Sequence, residues 1–345
     1  MTVMLRRRRR WRKGSWRRAG RFGGLGAALL MVLVALAVLS APSKAHALAC
    51  TSAVTDIDFG SVSPLAAANT DVMGTVTVTC TAIPALSGVK ICPGLHDGSG
   101  GSNGGNRLMT GPASTVGYQF YQDSARTQLW GAVDTPALGT VPAMIIAPTL
   151  TGAGTVTRML YARLNGGQTT AQPGDYQSVY AGGATAFMYS SYLLSTTSTC
   201  TGFLGSAVAH PDFDVLAQLT GGCTMTTADL AFPTTGILAA AVAGQTTLRV
   251  TCTKTTPYTI SLDNGRLGAS PTARKMSSSL GDTVTYGIYR NAAYTQPWGA
   301  AASGAGASAI GAGIEQLYTL YGLVPAQTTP RPGAYTDRIV VTITY

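Results

Sequence analysis

The chain has 345 residues, a formal net charge of +10, 42 Gly, 17 Pro and only 11% charged residues. Eleven of its 24 basic residues (Arg6 to Arg10, Arg12, Lys13, Arg17, Arg18, Arg21 and Lys44) lie in the first 47 positions, which hold no acid, so 13 basic residues face 14 acidic ones in the remainder. A near-neutral body has no basic face for neutralising phosphates, and nucleic acid is excluded as the expected partner.

The basic head, 1–47, reads as an export signal. An Arg-rich stretch precedes the apolar run Leu25 to Leu39, and Ala45-His46-Ala47 puts small residues at the −3 and −1 positions of a cleavage site after Ala47. The run is shorter than the roughly twenty apolar residues of a spanning helix. Cys50 is no lipidation site, because ten residues separate it from Leu39.

Beyond the signal the patterning is that of strands. Thr75 to Thr79, Thr247 to Thr251 and the terminal Arg338 to Tyr345 alternate with period two and are rich in β-branched residues. The Gly-rich stretch from Gly98 to Asn106 lacks the Lys-Ser/Thr tail and following helix of a phosphate loop, so it reads as a hairpin loop. Between Trp130 and Met159 lies an insertion carrying Leu138, Val141, Met144, Ile145, Ile146 and Leu150 among Pro and Gly. Phe213, Val215, Ala217 and Leu219 share one face of an extended segment before Cys223. No amphipathic helix of useful length fits between the Gly and Pro residues. The expectation is all-β, two sandwich domains of about 120 to 160 residues each.

The chain repeats itself. Cys50-Thr51 and Cys223-Thr224 are each followed nine residues on by a Phe, Phe59 and Phe232, and each Cys then meets a second one, Cys80 or Cys252, at intervals of thirty and twenty-nine residues. Val116 to Gly131 and Val284 to Gly299 share eight of sixteen positions without a gap. Leu160-Tyr161 and Pro173-Gly174-Asp175-Tyr176 return as Leu320-Tyr321 and Pro332-Gly333-Ala334-Tyr335. Equal spacing in two copies makes Cys50–Cys80 and Cys223–Cys252 the economical pairing and leaves Cys92 with Cys200, as six cysteines in an exported chain suggest. With no CxxC and only His96 and His210 as imidazoles after the signal, no metal or other cofactor is expected.

These blocks resemble the spore coat protein U domain, the subunit family of archaic (Csu-type) chaperone–usher pili. The likeness is carried by the Cys-to-Cys interval with its Phe, by Arg107-Leu108-Met109 and Arg274-Lys275-Met276, by the Tyr-x-x-Tyr…Trp-Gly block, and by Leu-Tyr-Gly-Leu-Val-Pro-Ala-Gln before Pro-Gly-x-Tyr and the last strand. The first copy is looser, with no plain terminal strand after Tyr176, and the second has Phe232-Pro233 in place of Phe59-Gly60. The resemblance implies immunoglobulin-like sandwiches that lack a last strand and are completed by one lent first by a periplasmic chaperone and then by the neighbouring pilin subunit. The run Ile339, Val341, Ile343 and Tyr345 has the alternation of a strand that contacts chaperone or donor.

The domains expected are thus 48–212, an N-terminal adhesin domain, and 213–345, a C-terminal pilin domain whose residues 213–219 are a candidate donor strand for the first. Only Leu48 and Ala49 precede Cys50 after the cut, too few to span a groove of roughly five strand residues. A subunit that accepts a strand and gives none belongs at a pilus tip, secreted through the periplasm and an outer-membrane usher to the cell surface. Its ligand is expected to be an abiotic or host surface, met by the apolar insertion as an exposed finger. The same insertion also fits a core strand between Pro142 and Pro148, and Ile83 to Leu86 and Phe203-Leu204 are lesser finger candidates. The alternative role is a spore-coat-like or matrix protein outside any pilus. Catalysis is not expected: neither His96 nor His210 has a motif context, and Asp56, Asp58 and Asp71 read as solvated near-strand carboxylates.

Overall fold

A computed structural model describes residues 47–207 and 210–345, so the expected export signal 1–47 lies outside the described residues except for Ala47. Thirteen strands build the first copy: β1 (Ala49–Val54), β2 (Ile57–Val62), β3 (Thr70–Thr81), β4 (Ser87–Leu95), β5 (Ser102–Asn103), β6 (Asn106–Thr110), β7 (Thr115–Tyr121), β8 (Met144–Thr149), β9 (Ala153–Leu164), β10 (Gly174–Tyr180), β11 (Thr185–Leu193), β12 (Ser206–Ala207) and β13 (Phe213–Leu219). Eight build the second: β14 (Cys223–Thr227), β15 (Val242–Cys252), β16 (Pro257–Leu262), β17 (Arg274–Ser277), β18 (Thr283–Tyr289), β19 (Ala307–Ile310), β20 (Glu315–Val324) and β21 (Val341–Thr344). Among the described residues the helical segments are three short 3-10 turns. Both copies are two-sheet, immunoglobulin-like sandwiches, and the fold is all-β.

Alternation decides which side of each strand is inside. In β3, Val76, Val78 and Cys80 are buried, while Thr75, Thr77 and Thr79 face outward. The large sheet of the first copy runs β1-β3-β9-β7-β6-β10-β13-β2 with β5 on β6, and the small one runs β12-β11-β4-β8. The second copy pairs β14-β15-β20-β18-β17 against β19-β16-β21. Strand β11, which lies beside β4 as β21 lies beside β16, is the terminal strand that the first copy did not show plainly in sequence. The two-Gly turn at Gly182-Gly183 sets it apart from β10 and hides the match.

A buried guanidinium ties each sandwich together. Arg107 donates from Nε to the His96 carbonyl at 2.7 Å, from Nη1 to Gln119 Oε1 at 2.8 Å, and from Nη2 to the carbonyls of Leu95 and Trp130 at 2.6 and 2.8 Å. Arg274 repeats this with the carbonyls of Asp263, Pro271 and Trp298. The Arg-x-Met step is therefore a structural signature: its Arg closes the end of β4 or β16 onto the Trp-Gly turn, with all those carbonyls satisfied away from water. Burial lowers the pKa of Arg274 from its ordinary value.

The disulfides are Cys50–Cys80, Cys92–Cys200 and Cys223–Cys252. Cys50 stands opposite Cys80 on β1 and β3, as Cys223 stands opposite Cys252 on β14 and β15. Cys92–Cys200 fastens the 194–205 segment onto the outer side of β4, where the Lys90 ammonium donates to Thr197 Oγ1 at 2.9 Å and to the Thr199 carbonyl and sits 4.9 Å from the Phe203 ring centroid.

Candidate functional site

Strand β13 lies in a slot of the first sandwich. It pairs antiparallel with β10, Tyr180 opposite Phe213 and Gly174 opposite Leu219, and parallel with β2, Ile57 opposite Val215. Its face Phe213, Val215, Ala217, Leu219 is buried. Phe213 stacks on Tyr180 at a centroid distance of 4.5 Å and meets Phe120 at 6.2 Å. Burying a side chain the size of Phe, Val or Leu contributes roughly 1.5–3 kcal/mol, so this one strand supplies a sizeable part of the domain's stability.

The same slot in the second sandwich holds no strand among the described residues. Residues 228–241 form no strand where β2 stands in the first copy, and the counterpart of β10 is reduced to one bridge, Ser277 to Thr336. What remains is a groove of about 380 Å³ whose walls include Phe232, Tyr286, Ile288, Leu320, Tyr335 and Ile339. These match Phe59, Tyr118, Phe120, Leu160, Tyr176 and Tyr180, the residues around β13 in the first copy. Phe59, Tyr176 and Tyr180 are buried, whereas Phe232, Tyr335 and Ile339 are only half-buried, because no strand of the described residues lies over them. In the groove Asp337 stands where the slot has Ser178. Asp337 accepts from Tyr286 Oη at 2.8 Å and from the backbone N–H of Arg266 and Arg338 at 3.1 and 2.8 Å. Burial and then that hydrogen bond hold the Tyr286 hydroxyl above the usual phenol range.

Of the terminal candidates, Ile339, Val341 and Ile343 are half-buried against the second core, and Tyr345 is exposed. Strand β21 pairs only with β16 among the described strands, so its other edge is free.

The insertion corrects the finger reading. Leu138, Val141, Met144 and Ile146 are buried: Met144–Thr149 is strand β8, paired with β4, and alternation turns Met144 and Ile146 inward. Leu138 closes the 3-10 turn Pro136–Leu138, and Val141 packs beside the Cys92–Cys200 bridge. Only Ile145, 37% exposed, and Leu150, 79% exposed, reach solvent. Pro142 precedes this strand, but Pro148 lies within it rather than bounding it, and is tolerated because β8 is an edge strand.

Leu150 has neighbours that the insertion alone did not suggest. Ser87, the first residue of β4, pairs with Thr149 at the end of β8 and Leu193 at the end of β11, and the Leu86 N–H donates to the Thr149 carbonyl at 3.2 Å. Three turns therefore meet at one end of the small sheet and carry Leu86, Leu150, Leu193 and Leu194, all exposed, Leu194 by 95%. Leu86 and Leu194 have φ of 62° and 66°. Bulky residues seldom adopt this left-handed conformation, which costs of order 1–3 kcal/mol and collects at functional sites. Of the lesser candidates, Ile83 is buried, Phe203 is half-buried under Lys90, and Leu204 is exposed. The dipeptide Leu193-Leu194 was missed because it lies outside every repeat block.

This apolar end is remote from the second copy. Strand β3, about 40 Å long, leads from Thr70 beside the Asn69–Gly166 contact to Thr81, next to the Ile83–Gly152 pair. At the Thr70 end, Gly313 of the second copy lies so close to the Thr169 carbonyl that a Cβ would stand 2.1 Å from it.

A model of the Spore Coat Protein U domain matches residues 35–181 and 210–342. The chain belongs to the Spore Coat Protein U domain family. No curated protein matches it. Among solved structures it is similar to the CsuC–CsuE chaperone–tip adhesion subunit pre-assembly complex from archaic chaperone-usher Csu pili of Acinetobacter baumannii. There it is 19% identical with a TM-score of 0.49, over 86% of this chain and 100% of that one. It is also similar to the CupB6 tip adhesin from Pseudomonas aeruginosa, at 9% identity and a TM-score of 0.37, over 86% of this chain and 94% of that one.

The remaining titratable groups of this Spore Coat Protein U chain hold local structure. His96 Nε2 lies 3.3 Å from Asp134, His96 Nδ1 is 3.1 Å from Thr135 Oγ1, and His210 contacts the Thr185 carbonyl. Asp56 and Asp58 accept the N–H groups of Asp214 and Gly60, both at 2.8 Å. Asp71 accepts from Arg163 Nε and Nη2 at 2.7 and 2.9 Å and forms an ion pair with Arg126, whose Nε lies 3.2 Å away. The Gly98–Asn106 stretch forms the β5–β6 hairpin, and Trp130, Trp298, Tyr118 and Tyr286 are buried in the two cores.

Proposed function

We propose that the chain is the tip adhesin of an archaic chaperone–usher pilus. The observation that carries this reading is the contrast between the two Spore Coat Protein U domains: the first holds its own strand β13, while the equivalent groove of the second is open. A subunit of this design takes a strand from a periplasmic chaperone, exchanges it at the outer-membrane usher for that of the neighbouring pilin, and ends the fibre because its first domain is already complete. Its outer end then carries Leu86, Leu150, Leu193 and Leu194, a cluster of exposed apolar turns suited to adsorption on abiotic or host surfaces and to biofilm formation. Immunogold electron microscopy with an antibody against the first domain tests the reading. Single gold particles at fibre ends support it; label along the shafts, or on no fibre at all, overturns it in favour of a pilus-shaft or matrix protein.

A further inference from the structure

The first domain shows what an occupied slot looks like and so acts as an internal template for the open one. Superimposing the repeat blocks sets Tyr286 on Tyr118, Phe232 on Phe59, Leu320 on Leu160 and Tyr335 on Tyr176, walls that are identical in kind. The bridge Ser277 to Thr336 repeats the pair Thr110 to Gln177, which fixes the register, so Ile339 stands where Tyr180 does and Ile288 where Phe120 does. Those two are the residues that hold Phe213. The recess for the first inward residue is therefore wider in the second domain, because two aromatic rings are replaced by two aliphatic side chains. The next recess, opposite Val215 in the template, is bounded by Asp337, whose oxygens are already taken by Tyr286, Arg266 and Arg338.

We infer that Ile288 and Ile339 select the partner: the strand that fills the second domain carries, at the position matching Phe213, a side chain larger than phenylalanine, with tryptophan the fit, followed at the third inward position by a small residue against Tyr335. This rests on the proposed strand-acceptor role. Close-packed interiors do not tolerate the void that a Phe would leave between two Ile walls, and a bulkier ring fills it. The selection also keeps a second copy's β13 sequence from being the best occupant, which disfavours self-assembly of the chain.

Three fluorescein-labelled peptides of the sequence 213–219 test this, one unchanged, one with Phe213→Trp and one with Phe213→Ala, titrated by anisotropy onto the full exported chain, 48–345. The Trp peptide is expected to bind about fivefold tighter than the Phe peptide, and the Ala peptide weakest. In the chain carrying Ile288→Phe and Ile339→Tyr, which restores the walls of the first domain, the Phe peptide is expected to overtake the Trp peptide. Should that double variant fail to fold, Ile288→Val is expected to widen the preference for Trp instead. Equal binding of all three peptides, or an order unmoved by the wall substitutions, overturns the selection while leaving the acceptor role intact. If no peptide binds, the acceptor role itself fails and the selection with it.

Discussion

Phe213 lies flat on Tyr180, with ring centroids 4.5 Å apart and planes 17° from parallel. The two residues belong to neighbouring antiparallel strands, and Phe213 opens the strand that leads to the second domain, so this stack helps tie the segment between the domains into the core of the first. Replacing Phe213 by Ala removes that stack and the contact with Phe120 and leaves a void in a close-packed core. The expected cost is about 3–5 kcal/mol, read as a lower unfolding midpoint of the first domain in differential scanning calorimetry with the second domain's transition unmoved. A shift of both transitions would show instead that the domains unfold together.

Arg107 and Arg274 make the same prediction twice. Each buried guanidinium satisfies carbonyls on two separate elements, and Arg107 reaches Gln119 as well. Arg107→Met leaves those acceptors buried and unpaired at about 1–3 kcal/mol apiece. Lys does not rescue it, because one ammonium cannot span the fork from Leu95 to Trp130. Urea denaturation is expected to show losses of comparable size for Arg107→Met and Arg107→Lys. Full stability of the Lys variant would assign the effect to charge alone.

The pairing of Cys92 with Cys200 closes a separation of 108 residues, against 30 for Cys50–Cys80. In the chain-entropy model the longer loop is worth about 4–5 kcal/mol, the larger effect of the two. The Cys92→Ala, Cys200→Ala double variant is expected to lower stability and to free the 194–205 segment for limited proteolysis. Cleavage mapped elsewhere in the first domain would contradict the clamp.

Asp71 gives a pH dependence whose sign follows from its partners. The Arg163 hydrogen bonds, with Arg126 adding to them, hold its carboxyl below the ordinary 3.8. A carboxyl depressed in the folded state adds stability that is present above the unfolded value and is lost as pH falls through the folded one. The window is therefore below about pH 4, and the effect is small because Asp71 lies at the surface with partly exposed partners, where solvent screens the pair. Asp71→Asn is expected to lower stability at pH 7 and to flatten its dependence below pH 4. An unchanged acid limb in the variant would remove Asp71 from the account.

Much of this architecture is legible in the residues because alternation reports a physical fact, namely that one face of a strand is inside. Val76, Val78 and Cys80, or Phe213 to Leu219, can be read that way. Alternation is silent on what covers a face. Met144, Ile145 and Ile146 are all apolar, and pairing with β4, invisible from the segment itself, decides that Met144 and Ile146 are core and Ile145 is surface. Arg107 is harder still: a charged residue reads as surface until four acceptors on separate elements are seen to converge on it. The apolar end of the first domain is assembled from three turns far apart in sequence, so no single motif announces it.

That apolar end supplies the last prediction. Leu150 and Leu194 sit on turns at the same end of the small sheet with their side chains in solvent, so exchanging them for Asp removes apolar surface without opening the core, and surface substitutions of this kind typically change stability by about 0.5 kcal/mol or less. Leu194 also has φ of 66°, a conformation that Asp tolerates better than Leu, so folding is expected to be kept or slightly improved. The Leu150→Asp, Leu194→Asp variant is expected to assemble on the cell surface in normal amounts and to lose most of its adsorption to polystyrene. Met144→Asp, by contrast, buries a charge in the first core and is expected to abolish surface display altogether. Crystal-violet biofilm assays beside quantitative blots of surface-displayed protein separate the two outcomes. Undiminished adsorption by the Leu150, Leu194 variant would remove the adhesive role from this end of the molecule.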